Sequence, residues 1–318
     1  MGVLTYNKLI NTTLHLYLRG KYISAYEYIT GHAPRVEGNE AQVFNFRYAI
    51  ASRAGMTDIA MDLLQEAVMQ KKYWYSYEYL MSDDDLVMLR EREEFDRIAE
   101  VCREREADAK NRSTPDLKVV APAGDNGVAE PSLLLALHGN EENIKITEGY
   151  WNTAPFSGFL KAFPQSSDIG FSDAYFWNNP EKGGKELDRH LEKISEDRHI
   201  DSNRTILGGF SAGARTVLYF ALYHSYPVRG LILVCPWLPE IEKWSPRLDV
   251  LKERDVRVCI VAGGRDHECI EHAECFRDLL VEKDIPHLYR KIMQLEHDYP
   301  DNFDAIQREA LDFIFTPA

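Results

Sequence analysis

One short segment constrains the fold of this chain more than any other. An apolar stretch, Arg204 to Leu207, runs directly into Gly-Gly-Phe-Ser-Ala-Gly at residues 208–213. The pattern Gly-x-Ser-x-Gly can hold a serine at a strained corner between a strand and a helix, with its hydroxyl exposed above a sheet. Gly209 and Gly213 leave room where the backbones crowd at such a corner. The alternative is an ordinary Ser/Gly turn between a strand and a helix.

Apolar runs of strand length alternate with segments of helix length after residue 131. The predicted strands are Ser132 to Leu137, Ala174 to Trp177, Thr205 to Leu207, Leu231 to Cys235, Val256 to Ala262 and His287 to Met293. The predicted helices are Trp151 to Phe163, Lys185 to Ile194, Ala212 to Tyr223, His267 to Glu282 and Phe303 to Phe315. This alternation predicts parallel strands with crossover helices, hence a doubly wound α/β sheet. Active sites of such sheets lie at the carboxyl ends of strands, where Ser211 stands.

Two later loops carry the partners that a nucleophilic serine needs, a histidine to take its proton and a carboxylate to orient that histidine. Asp266 follows the strand predicted at Val256 to Ala262. It suits the acid, although it could equally cap the next helix, and Glu268 is the reserve acid. His297 stands between the last predicted strand and the last helix, where the alternative is a surface histidine. We therefore predict Ser211, Asp266 and His297 as a catalytic triad.

Backbone N–H groups must stabilise the oxyanion that forms when a serine attacks a carbonyl. Ala212, directly after the serine, supplies the first N–H. For the second we predict Asn140, with Gly139 as the alternative, because His138-Gly139-Asn140 follows a buried strand. The His138 side chain is expected to pin this loop rather than to act as a second base.

The order of these pieces, a loop, then Ser, Asp and His, resembles the α/β-hydrolase family over about residues 117 to 318. The motifs His-Gly-Asn, Gly-Gly-Phe-Ser-Ala-Gly, Gly-Gly-Arg-Asp and Glu-His-Asp-Tyr-Pro are similar to its esterase and phospholipase/carboxylesterase branch. Many relatives have Gly before the catalytic His, whereas this chain has Glu296. The resemblance implies a serine esterase that forms an acyl-enzyme on a small to medium carboxylic ester. A peptidase or thioesterase with the same triad is the alternative.

The substrate pocket is expected at the carboxyl ends of the predicted strands. Three tryptophans follow predicted strand ends and are candidates for its lining, or else ordinary core residues: Trp151, Trp177 and Trp237. The longest insertion after a strand, Pro236 to Asp255, is too short for an extended lid. A modest acyl ester is therefore expected rather than a triglyceride.

Helix signals fill the first 110 residues, where Gly20-x-Tyr22-x-x-Ala25 recurs 35 residues later as Gly55-x-Thr57-x-x-Ala60. This degenerate repeat resembles the tetratricopeptide repeat, and the alternative is a plain bundle of helical hairpins. A turn-rich stretch follows, so we predict an all-helical domain at 1–112 and a hydrolase domain at 113–318. The helical domain could bind a protein partner or mediate self-association. A third interpretation is therefore an interaction protein whose hydrolase domain is vestigial.

Composition indicates which partners the chain is expected to lack and in which compartment it is expected to work. The formal net charge of −14 argues against nucleic acid and anionic membranes as partners. The first 30 residues lack a signal-peptide core and no later run could span a bilayer, so a cytoplasmic protein is expected. The five cysteines read as reduced packing residues. No cofactor is expected, and the spacing of His267, Cys269, His272 and Cys275 is unlike a metal site.

Overall fold

The computed structural model describes residues 4–124 and 130–316, and its contacts divide the chain into two compact units. The first unit contains Met1–Thr114 and a segment from much later in the chain, Asp168–Tyr175. The second unit contains Pro115–Ser167 and Phe176–Ala318. In the described parts of the chain, no helix combines the length and the apolar character that crossing a membrane requires.

The N-terminal part of the first unit is helical. Its helices are α1 (Tyr6–Leu18), α2 (Tyr22–His32), α3 (Glu40–Arg53), α4 (Thr57–Gln65), α5 (Tyr77–Ser82), α6 (Val87–Arg90) and α7 (Glu93–Arg112). Gly20 and Gly55 follow α1 and α3 with φ of +70° and +77°, a conformation that glycine adopts without a steric penalty. Ala25 and Ala60 are fully buried at equivalent places in α2 and α4. The first two helical hairpins therefore share one turn geometry and one close-packed position.

A β-hairpin from the later segment completes this unit. Its strands are β4 (Asp168–Phe171) and β5 (Ala174–Phe176). At the hairpin turn, the Ser172 N–H donates to the Trp74 carbonyl at 3.1 Å and the Ser172 hydroxyl accepts the Trp74 N–H at 2.8 Å. The Asn39 side chain donates to the Ser172 carbonyl at 3.1 Å. Ile169 and Phe171 pack against the apolar core formed by the helices. The helical unit therefore includes the segment Asp168–Tyr175, which comes much later in the chain than its helices.

Shortening the chain to residues 113–318 is expected to yield an aggregation-prone protein. Ile169 and Phe171 would lose their apolar partners in the helical core, at a cost on the order of 1–2 kcal/mol for each side chain. The double substitution Ile169→Ser and Phe171→Ser should raise the monomeric fraction of the shortened chain but destabilise the full-length protein. Size-exclusion chromatography and urea denaturation measure the two effects. If the double substitution lowers the monomeric fraction of the shortened chain, the inference is wrong.

The second unit is built on a mostly parallel sheet. Among the described residues the order of its seven strands is β1-β3-β2-β6-β7-β8-β9. Their bounds are β1 (Asp116–Val120), β2 (Ser132–Leu137), β3 (Phe159–Gln165), β6 (Thr205–Phe210), β7 (Gly230–Val234), β8 (Arg257–Gly263) and β9 (His287–Ile292). Strand β1 pairs antiparallel with β3 at one edge, and the other described pairs are parallel. Parallel pairing brings the carboxyl ends of β2, β6, β7, β8 and β9 to one edge of the sheet.

Helices cover both faces of this sheet. Their bounds are α8 (Ile144–Trp151), α9 (Pro180–Asp197), α10 (Ala212–Tyr223), α11 (Ile241–Trp244), α12 (Asp249–Glu253), α13 (Ile270–Glu282) and α14 (Phe303–Phe315). Alternate residues of β2 enter opposite cores: Leu133 and Leu135 pack with α9, α10 and α13, whereas Leu134 packs with α8 and α14. Burial on both faces explains why the strand Ser132–Leu137 is apolar without alternation.

One predicted element is wrong and another lies in a different sheet from the one expected. The helix predicted at Trp151 to Phe163 is instead the end of α8, at Trp151, followed by a 3₁₀ turn and strand β3 from Phe159. A short apolar run fits a buried strand as well as a buried helix, and Pro155 and Gly158 interrupt any helix here. The strand predicted at Ala174 to Trp177 exists as β5, but it lies in the hairpin of the first unit rather than in the parallel sheet.

Candidate active site

The corner between β6 and α10 holds Ser211 in an unusual backbone conformation. Its φ is +53° and its ψ −119°, a region that L-residues rarely adopt. A Cβ on Gly209 would lie 2.6 Å from the Ala214 nitrogen, and one on Gly213 would lie 2.3 Å from the His138 carbonyl oxygen. The two glycines therefore allow strand and helix to meet closely enough to hold the serine there. The Ser211 N–H donates to the Val234 carbonyl at 3.0 Å, which ties the corner to β7.

Asp266 and His297 meet at the same edge of the sheet. Asp266 follows β8 and is 2% exposed, while His297 lies between β9 and α14. The distance between His297 Nδ1 and Asp266 Oδ2 is 2.8 Å. The other carboxylate oxygen, Oδ1, accepts the Cys269 N–H at 3.2 Å, just before α13 begins. The acid role and the capping role, alternatives in the sequence, thus belong to different oxygens of one carboxylate.

His297 lies against the corner that holds the serine. The centroid of its ring is 4.7 Å from that of Phe210, the residue before Ser211. Burial disfavours the protonated ring, but the hydrogen bond and charge of Asp266, with the charges of Glu268 and Glu142, outweigh that effect and raise the pKa of His297. The contact with Asp266 therefore orients the His297 ring through Nδ1. The raised pKa means that His297 holds a proton more tightly than an ordinary histidine.

A buried thiol lies beneath this pair. Cys235 follows β7 with a φ of +43°, and its Sγ lies 3.4 Å from the Asp298 carbonyl oxygen. Among the residues that the structure describes, the ligand-type atoms close enough to share an ion belong to Cys235, Asp266 and His297, all within 4.8 Å of one another. Burial raises the pKa of the Cys235 thiol well above its usual value, whereas metals bind the thiolate. The cluster therefore fits a hydrogen-bonded carboxylate and imidazole better than a metal centre.

The loop after β2 is held on both sides of Gly139. The Gly139 N–H donates to Glu142 Oε2 at 2.8 Å. The Ser166 N–H donates to His138 Nε2 at 3.3 Å, so Nδ1 carries the proton and donates to the Gly139 carbonyl at 2.6 Å. Burial lowers the pKa of His138 to about 4, which keeps the ring neutral. Because C=O and N–H of a trans peptide point in opposite directions, this bond turns the Asn140 N–H away from His138.

The two predicted oxyanion donors differ in their surroundings. Ala212 begins α10 and is fully buried, and the first N–H groups of a helix have no partner within that helix. The side-chain oxygen of Asn140 accepts the backbone N–H of Trp177 at 2.9 Å, which anchors this residue through its side chain. The Gly139 N–H, the alternative donor, is already bound by the Glu142 carboxylate.

The three tryptophans occupy different environments. Trp151 is fully buried beneath the sheet, where a Cβ on Gly208 would lie 2.5 Å from its ring, and its Nε1 donates to the Tyr299 hydroxyl at 3.1 Å. Trp177 is 1% exposed and packs on the His138 ring. Both positions are core, which contradicts a lining role in an open pocket. Trp237 is half-buried, and its backbone N–H donates to the Ser211 carbonyl at 3.3 Å, so this residue adjoins the serine.

Glu142 is a charged residue of this site that no sequence motif identifies. It is 5% exposed, and its charge acts on His297. The available signal was a pair of glutamates directly after His-Gly-Asn, where a loop would ordinarily present them to solvent.

Comparisons with known proteins agree with this architecture. A family model described as an A/B hydrolase-like N-terminal domain matches residues 5–110, and one described as the alpha/beta hydrolase fold matches residues 157–315. No curated protein matches the chain. The prediction of a mostly parallel α/β-hydrolase sheet after an all-helical domain is confirmed.

Solved structures extend the likeness to the whole chain. The crystal structure of an uncharacterized protein from Bacillus cereus ATCC 10987 is 41% identical and has a TM-score of 0.57, covering 98% of this chain and 99% of that chain. The esterase PE8 is 19% identical, with a TM-score of 0.52, over 62% of this chain and 99% of that chain. Acyl-protein thioesterase 2 from Zea mays is 19% identical, with a TM-score of 0.50, over 63% and 99%. At such low identity the last two share the fold alone.

Proposed function

The chain belongs to the alpha/beta hydrolase fold family, and we propose that it is a serine hydrolase of the carboxylesterase type, acting on small to medium carboxylic esters. The observation that carries the proposal is the 2.8 Å contact between His297 and Asp266 beside a serine at a strained corner. These groups supply an oriented base and a nucleophile, which are the two requirements of acyl transfer through serine.

In the proposed mechanism, His297 Nε2 removes the proton of Ser211, because Nδ1 is bound to Asp266. The serine oxygen then attacks the ester carbonyl carbon and forms a tetrahedral intermediate. The imidazolium gives its proton to the departing alcohol, which leaves an acyl-enzyme on Ser211. A water molecule, deprotonated by His297, attacks this acyl group and releases the acid and the free serine.

The oxyanion of each tetrahedral intermediate needs donors that are in place beforehand. We assign them to the backbone N–H groups of Ala212 and Asn140. The peptide that carries the Asn140 N–H is oriented by the bond from His138 to the Gly139 carbonyl. The Gly139 N–H is a poorer candidate because Glu142 already accepts it.

A fluorophosphonate probe tests the proposed nucleophile without knowledge of the substrate. The probe phosphonylates a serine that an adjacent base activates, so we expect one labelled peptide, containing Ser211, and loss of the label in His297→Ala. Mass spectrometry of the digested protein identifies the modified residue. Labelling at another serine, or none at all in the folded wild-type protein, would refute the proposed nucleophile and favour the vestigial alternative.

The same groups could open a thioester or an amide, because the fold does not determine the substrate. Turnover of p-nitrophenyl butyrate, a short acyl thioester and an aminoacyl anilide, compared as kcat/KM, separates the three. The ester proposal requires the first substrate to be preferred. Dominant turnover of either other substrate would replace esterase by thioesterase or peptidase.

For the helical domain we propose a tetratricopeptide-like role in binding a protein partner or a second copy of the chain. The matching turns at Gly20 and Gly55 support the repeat interpretation. Light scattering over a range of protein concentrations tests self-association.

A cytoplasmic location accords with the five cysteines, all of which are unpaired, since disulfides are rare in reducing compartments.

A further inference from the structure

Glu142 is a buried carboxylate between the loop after β2 and the corner that holds Ser211. It is 5% exposed, and its Oε2 accepts the Gly139 N–H at 2.8 Å. A Cβ on Gly139 would lie 3.3 Å from that same oxygen and 2.7 Å from the Phe210 ring. The carboxylate is therefore packed where the loop meets the residue before Ser211. The proposed mechanism gives this residue no task.

We propose that Glu142 is a positioning residue for both the oxyanion loop and the base, an inference that rests on the proposed function. Its carboxylate holds the Gly139 N–H, while His138 holds the Gly139 carbonyl. The two contacts together fix the loop immediately before the proposed donor, Asn140. A charged acceptor suits this task because hydrogen bonds to ionised groups are stronger than neutral ones.

The second effect of Glu142 is electrostatic. The negative charges that act on His297 come from three elements: Asp266 and Glu268 after β8, and Glu142 after β2. The thiol of Cys235, after β7, also lies close but is neutral. Glu268 is exposed to solvent, so salt screens its charge, whereas the buried Glu142 is screened much less. Glu142 therefore favours the imidazolium that forms when His297 takes the serine proton.

Substitutions of Glu142 separate its two effects. Glu142→Gln keeps an oxygen that can accept the Gly139 N–H but removes the charge, whereas Glu142→Ala removes both. A negative charge raises the pKa of a nearby histidine, so Glu142→Gln should lower the pKa of His297 by roughly half a unit or more. The acid limb of the pH profile of the labelling rate should move to lower pH with it. Glu142→Ala should in addition slow labelling at the pH optimum by roughly 10- to 100-fold, and Glu142→Gln should restore most of that rate.

The experiment measures the pKa of His297 by NMR titration of the histidine ring in the full-length protein, together with the pH dependence of fluorophosphonate labelling. Glu141→Gln, at the exposed neighbour, is the matched control and should change neither quantity. Glu268→Gln should shift the pKa at low salt but not at 1 M NaCl, whereas the Glu142→Gln shift should persist at both.

Two results would overturn the inference: an unchanged His297 pKa in Glu142→Gln, or wild-type labelling by a folded Glu142→Ala. If Glu142→Ala does not fold, the charge-only variant Glu142→Gln still decides the electrostatic part. If the proposed function is wrong, the result is different: Ser211 of the wild-type protein is not labelled. In that case the NMR titration of His297, which needs no substrate, still tests Glu142.

Discussion

Replacing Ser211 with alanine is expected to lower kcat/KM for p-nitrophenyl butyrate by roughly 10⁴-fold or more, because no other group is proposed to form the acyl-enzyme. The remaining activity should be limited to what the oxyanion donors and substrate binding provide. Steady-state hydrolysis measured on folded protein, checked by circular dichroism, gives the result. Wild-type turnover in Ser211→Ala would show that the serine is not the nucleophile.

Ser211→Gly is a second variant that separates loss of the nucleophile from loss of stability. Glycine adopts a φ of +53° and a ψ of −119° without a side-chain clash, so this variant should be more stable than wild type by roughly 1 kcal/mol. It should nevertheless be inactive. Urea denaturation measures the free energy of unfolding. A Gly variant that is both active and stable, or inactive only because it unfolds, would argue against a strained catalytic corner.

Gly213→Ala is expected to produce the second-largest effect, on stability and on the site together. Its Cβ would lie 2.3 Å from the His138 carbonyl oxygen and 2.9 Å from that of Leu137, both parts of a backbone that cannot rotate away. Helix α10 must therefore move away from the loop after β2. We expect a loss of roughly 3 kcal/mol in the free energy of unfolding, and much slower fluorophosphonate labelling, because the oxyanion loop moves too.

Gly149→Ala is the matched control for this substitution. Gly149 lies within helix α8, and among the described residues an added Cβ there would have no atom within 4 Å other than those of its chain neighbours and its own helix backbone. Alanine is a better helix former, so this variant should gain up to about 1 kcal/mol and keep the wild-type labelling rate. If Gly213→Ala behaved like Gly149→Ala, the close approach at the corner would not matter to the fold.

The local features of the site could be predicted because each depends on a few neighbouring residues. The corner at Ser211 follows from a strand, two glycines and a helix that adjoin in sequence. Helices α10 and α14 begin and end where the pattern places them, at Ala212–Tyr223 and Phe303–Phe315. The loop positions of Asp266 and His297 follow from the strands before them.

The errors arise where a short apolar run is compatible with two structures. Phe159–Gln165 is a strand because its neighbours β1 and β2 offer backbone partners on both sides, which no periodicity within the run reveals. Similarly, Ala174–Phe176 pairs within a hairpin that belongs to the helical unit. Its local sequence does not reveal this, because the residues that hold the hairpin, Trp74 and Asn39, lie about 100 or more positions earlier.

Patterns of neighbouring residues were enough to predict the strained serine, the alternation of strands and helices after residue 204, and the loops that carry an acid and a histidine. These depend on glycine conformation and on hydrophobic periodicity, both of which act within a few residues. The contacts themselves emerge from the three-dimensional fold: the two separate tasks of the Asp266 oxygens, the burial of Trp151 and Trp177, and the bond from the Gly139 N–H to the Glu142 carboxylate. Such contacts join residues that are distant in sequence, and parallel pairing of the strands brings them to one edge of the sheet.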